Sequence, residues 1–160
     1  MIQIEKNKSY LGQSINTRFE LVDATSNGKI DGKYVSQEIR RIFEPIQSAL
    51  QKKSIASINK QVEYIVLQLM QSIVLLPKFK IDITNIPSFC ATYLEDGTFL
   101  MEWLSTNYRI GFVIDENPKD SIWYLVSKGE TTDSNDSGNL SGDDMDDIII
   151  RLVSYVAINS

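Results

Sequence analysis

The residues with the plainest chemical potential lie near the C-terminus. There Asp133, Asn135, Ser137, Asn139, Ser141 and Asp144 place oxygen-bearing side chains at close, mostly alternate positions. Oxygen donors at that spacing suit a hard cation, Ca²⁺ above others. The same residues also serve an acidic loop running into a capped helix, since Ser, Asn, Asp and Gly are ordinary turn residues, and the sequence favours this plainer use. A second group is basic: Arg40, Arg41, Lys52, Lys53 and Lys60 fall in a helical stretch and offer donors to phosphate. The third is a lone carboxylate, Glu102, set between Met101 and Trp103. It is the candidate for acid–base work, although alternation with Trp103 turns it toward water.

What is missing narrows the chemistry. The 160 residues contain no histidine, which removes the usual general base, the usual zinc ligand and every Ser-His or Cys-His arrangement. The single cysteine, Cys90, forms no internal disulfide and has no basic neighbour, so it reads as a small buried apolar side chain. With no signal-like start and no clean apolar run of membrane-spanning length, the expected setting is the cytoplasm, away from any membrane. The net charge of −5 is unevenly spread. Residues 1–80 carry 12 Lys/Arg against 7 Asp/Glu, and residues 81–160 carry 4 against 14. Such a division fits docking of the two halves, plain solvation, or a charged face for a partner.

The elements that must position these residues follow from hydrophobic spacing. Val35, Ile39, Ile42, Ile46 and Leu50 recur every three or four residues and predict one helix, with a kink or break at Pro45. Ile55, Ile58, Val62, Ile65, Leu69, Ile73 and Leu76 predict a second, out of phase with the first and stopped by Pro77. A joint at Lys52-Lys53-Ser54 makes the pair a helical hairpin. The period then falls to two. Asp96-Gly97 is a strong hairpin signal between Ala91–Glu95 and Thr98–Leu104, and further strands follow at Tyr108–Asp115 and Ser121–Ser127. Residues 128–144 read as a surface loop and the remainder as a last helix, with Ser141 as N-cap and Leu140 as staple. The expected architecture is α+β: a loosely ordered arm at 1–33, then one domain at 34–160. That domain comprises an N-terminal helical hairpin, a four-stranded antiparallel meander and a C-terminal helix.

Two resemblances attach to these residues. Numbered from Asp133, the acidic run resembles a twelve-residue EF-hand loop, with Gly138 at the sixth position and Leu140 at the eighth. It departs from that pattern in ending on Asp144 rather than Glu. The stretch Asp96-Gly97-Thr98-Phe99-Leu100-Met101-Glu102-Trp103, continued through Arg109–Phe112 and Ser121–Val126, is similar to a sheet of uncharacterised bacterial proteins. That similarity spans residues 86–128 and implies a prokaryotic accessory protein without assigning any functional residue. The function expected is a non-enzymatic protein–protein interaction module, an accessory or neutralising subunit of a bacterial operon. Its partner would be another protein or a second copy of the chain. A calcium-binding module using the 133–144 run and a nucleic-acid-binding accessory protein using the basic helices are the alternatives.

Overall fold

The computed structural model describes residues 32–128, 134–142 and 144–160, so the expected arm lies almost wholly outside the described residues. The two helical series form α1 (Gly32–Lys52) and α2 (Ala56–Leu75), joined where the phase change predicts. Pro45 neither ends nor interrupts α1. An internal proline costs a helix about 3 kcal/mol. Here Ile42, Phe43, Ile46, Ala49 and Leu50 are buried on both sides of it, and each large side chain returns roughly 1.5–3 kcal/mol. At its other end α2 tightens into a 3-10 turn, Leu76–Phe79, with Pro77 near its start.

With that turn α2 forms the stretch Ala56–Phe79, long and apolar enough by length and composition to cross a membrane, which the sequence reading did not expect. In the fold, Ile58, Val62, Ile65, Leu69 and Ile73 lie inside the core. The connector from there to the sheet is held by Arg41, which donates to the carbonyls of Thr84 (3.2 Å) and Ile86 (2.7 Å) and is braced by Glu38 (2.7 Å). Phe89 then stacks on Trp103, with ring centroids 4.1 Å apart.

Among the described residues the sheet has five strands rather than four. β1 (Cys90–Tyr93), β2 (Phe99–Leu104), β3 (Tyr108–Ile114) and β4 (Ile122–Ser127) form the expected meander, and β5 (Ser134–Asn139) adds to β4. All neighbours are antiparallel, in the order β1-β2-β3-β4-β5. Pleating sends Phe99, Met101, Trp103, Tyr108, Ile110, Phe112, Ile114, Trp123 and Leu125 to one face. There they merge with the buried sides of all three helices into a single core. A buried Ser121 ties α2 to the β3–β4 turn, donating to Gln61 (2.8 Å) and accepting from the Asp115 amide (2.9 Å). The last helix, α3 (Met145–Asn159), starts later than expected: Asp144 is its N-cap and makes no side-chain capping bond. Ser141 instead donates its amide to Asn139 Oδ1 (2.7 Å), while Leu140 is buried in the core.

Candidate functional site

With the helices on one face, the other face of the sheet is left uncovered by any helix among the described residues. Its central row follows from the register: Cys90 opposes Glu102, Glu102 opposes Gly111, Gly111 opposes Tyr124, and Tyr124 opposes Ser137. Five strands thus place these residues side by side on the open face. Gly111 has no side chain, and Tyr124 fills the gap by lying across it. A Cβ built on Gly111 would meet the phenol, within 2.8 Å of Cε1 and closer still to Cζ and Oη. The hydroxyl reaches over the glycine and donates to Glu102 Oε2. From the next position on β3, Arg109 closes the group with two donated bonds, Nε to Oε2 at 2.6 Å and Nη2 to Oε1 at 3.0 Å.

Glu102 is therefore not the solvent-facing residue that alternation suggests. Its residue is only 5% exposed although it sits on the open face, because Tyr124 and Arg109 cover it. Each titration is moved away from neutrality. Burial raises the Glu102 carboxyl, but bonds from Arg109 and Tyr124 and the guanidinium charge outweigh it and hold the group below the usual carboxylate range. Burial, then the bond to Glu102, pushes the Tyr124 phenol well above its ordinary value. The bond to Glu102 raises Arg109 further. Near neutral pH the trio carries fixed charges and fixed donors, which suits positioning and recognition better than proton transfer.

Apolar rows flank this polar centre. On one side Leu104 and Val126 stand next to Arg109, and on the other Leu100, Val113 and Ile122 share a row. Leu104 is 47% exposed, Ile122 40% and Val126 36%. Among the described residues this is an apolar face built around a neutralised ion pair. Cys90, expected in the core, lies exposed at its β1 margin, because position 90 faces the same way as Glu102 on an edge strand.

The other sequence candidates are scattered. Asn135, Ser137 and Asn139 lie along β5 rather than around a turn, spread over ~13 Å of extended chain. Asn139 is engaged with Ser141 and with the Lys119 carbonyl, to which it donates. Asp144 occupies the N-cap position of α3 without a side-chain capping bond, and Asp133 lies outside the described residues. No three His, Cys, Asp or Glu side chains come together as a metal-binding group among the described residues. Of the basic set, Arg41 is occupied by the connector and Lys53 sits over the Tyr93 ring at 5.1 Å. Arg40 and Lys52 are ~18 Å apart along α1, and Lys60 is on α2.

Sequence reasoning named Glu102 but missed Arg109, Gly111 and Tyr124 as its partners. The usable signal is a carboxylate inside a strand with a compensating arginine seven residues on, across one hairpin. Compared with known proteins, the chain matches no family model, no curated protein and no solved structure.

Proposed function

We propose that this chain is a non-enzymatic protein-interaction module whose docking surface is the open face of the sheet. The observation that supports this is the exposure of Leu104, Ile122 and Val126 around the Glu102–Arg109–Tyr124 centre. Exposed apolar area arranged around ordered polar groups matches the make-up of protein interfaces, where apolar contact supplies affinity and a few fixed polar groups set orientation. The exposed, unpaired Cys90 fits a reducing, cytoplasmic setting. The resemblance read in residues 86–128 supports placing the module in a bacterial operon, as an accessory or neutralising subunit.

The test compares capture by immobilised wild-type chain with capture by Leu104→Asp and Val126→Asp, each first shown to be folded by circular dichroism. Loss of the captured protein in both variants supports the open face as the docking surface. Undiminished capture by folded variants rules that surface out.

A further inference from the structure

Resting on that reading, we infer that the partner seated on the open face is a second copy of this chain, packed sheet to sheet about a two-fold axis. The first ground is charge. The chain is acidic overall, at −5, and any two copies repel at long range. On the open face the two charged side chains, Glu102 and Arg109, cancel each other through a two-pronged ion pair. The other outward positions of β2 to β5 are Leu100, Leu104, Gly111, Val113, Ile122, Tyr124, Val126, Asn135, Ser137 and Asn139, all uncharged. Two copies therefore meet with least repulsion face to face. Among the described residues the outward strand positions hold no charge outside this pair, which gives a strongly charged foreign partner little to select.

The second ground is layout. A two-fold interface uses the same patch twice, so the patch must complement its own rotated image. Here the polar row Glu102–Gly111–Tyr124 runs through the middle, with Leu104 and Val126 on one side and Leu100, Val113 and Ile122 on the other. A two-fold lying in the plane of the face along β3 carries Leu104 onto Val126 of the other copy, Leu100 onto Ile122 and Val113 onto its own image. It also sets Glu102 opposite Tyr124 of the second copy and brings the two Arg109 side chains together at the axis, each still paired with its own Glu102. The lack of a side chain at Gly111 keeps the centre low, since Tyr124 lies flat across it.

The third ground is area. Four inter-strand spacings by about six residues give a face of ~19 by ~20 Å, ~400 Å² in projection and more once side-chain relief is counted. Twice that approaches the ~1,000 Å² at which specific association begins, which fits a reversible dimer.

The measurement is sedimentation velocity on the full chain from about 1 µM to a few hundred µM, where a reversible dimer of modest area dissociates. Wild type should move from monomer to dimer across that range. Leu104→Asp and Val126→Asp, on different strands, should each stay monomeric while keeping the wild-type circular dichroism spectrum. Ile150→Asp, an exposed position on α3, should dimerise as wild type does. A wild type that stays monomeric throughout overturns the proposal, as does a dimer that persists in both folded face variants. A monomeric wild type whose capture of a foreign protein is abolished by the same two variants removes the second copy but leaves the docking face in place. If neither association depends on the face, both readings fall.

Discussion

Replacing Gly111 with alanine should cost stability only while Tyr124 lies across it. At an ordinary strand position the change is favourable by about 0.5–1 kcal/mol, because glycine loses more backbone freedom on folding. Gly111 has no positive φ that would oppose alanine. Here the new Cβ falls inside the phenol, so the ring must swing out and give up its bond to the Glu102 carboxylate. A hydrogen bond to a charged group contributes about 1.5–3 kcal/mol, which leaves a net loss of about 1–2 kcal/mol. For a domain of this size that is a fall of roughly 2–8 °C in midpoint. With Tyr124→Ala already in place nothing obstructs the Cβ, and Gly111→Ala should then stabilise by about 0.5 kcal/mol. The coupling between the two positions is thus about 2 kcal/mol. Urea denaturation of wild type, both single variants and the double variant, followed by tryptophan fluorescence, measures it. Equal effects of Gly111→Ala in the two backgrounds would refute the stacked geometry.

Four further outcomes test the fold and the site. The Glu102 contribution should be fully present above the unfolded carboxyl value of about 4.3 and be lost as pH falls through its lower folded value. Glu102→Gln should therefore flatten the acid limb of a stability-against-pH curve, though not abolish it. Asp82 and Asp96 are also held low, chiefly by bonds from Thr84 and Thr98. Arg41→Ala should cost about 1.5–3 kcal/mol and speed proteolysis of the 80–89 connector, while Arg40→Ala should stay within about 0.5 kcal/mol. Leu69→Ala, fully buried on α2, should cost about 2–5 kcal/mol in urea denaturation. Native protein should react with one equivalent of a thiol reagent such as DTNB at the rate of an open cysteine, because Cys90 is exposed; reaction only on unfolding would contradict that placement.

The helices and the first four strands were legible because burial repeats at about 3.6 residues along α1, α2 and α3 and at 2 along β2 to β4. Asp96-Gly97 marked its turn, with Gly97 at φ +93° and Asp96 accepting from the Thr98 amide at 3.0 Å. The site was only half legible. Alternation shows which face Glu102 takes but not what stands beside it, since neighbours across a sheet depend on register. Register here depends on the Ser105–Asn107 turn and on a glycine that lets a tyrosine from the next strand but one reach across. Cys90 was misplaced for a related reason. Residue type suggested burial, but its strand is an edge and its side faces outward.

β5 was unreadable for a different reason, and that reason bears on how the molecule associates. Its sequence, Ser134-Asn135-Asp136-Ser137-Gly138-Asn139, holds no β-branched or aromatic residue, and its residue types are mostly depleted in strands. Tertiary contacts hold it instead. It pairs in full register with β4, Gly138 gives room to the Trp123 ring, and Asp136 is tied to Arg151 of α3 at 2.8 Å. Arg151 in turn lies over the Trp123 ring at 5.1 Å. A strand with this sequence at the edge offers backbone groups but no apolar side chain, and such an edge is a poor template for adding another chain. At the opposite edge β1 is only four residues long. Among the described residues both edges are thus unfavourable for strand addition, while the face between them carries exposed Leu104, Ile122 and Val126. If two copies meet through this sheet, the edges favour a face-to-face contact over strand addition. Converting Ser137 to valine should then strengthen β5 without abolishing dimerisation, whereas a single aspartate at Val126 should abolish it.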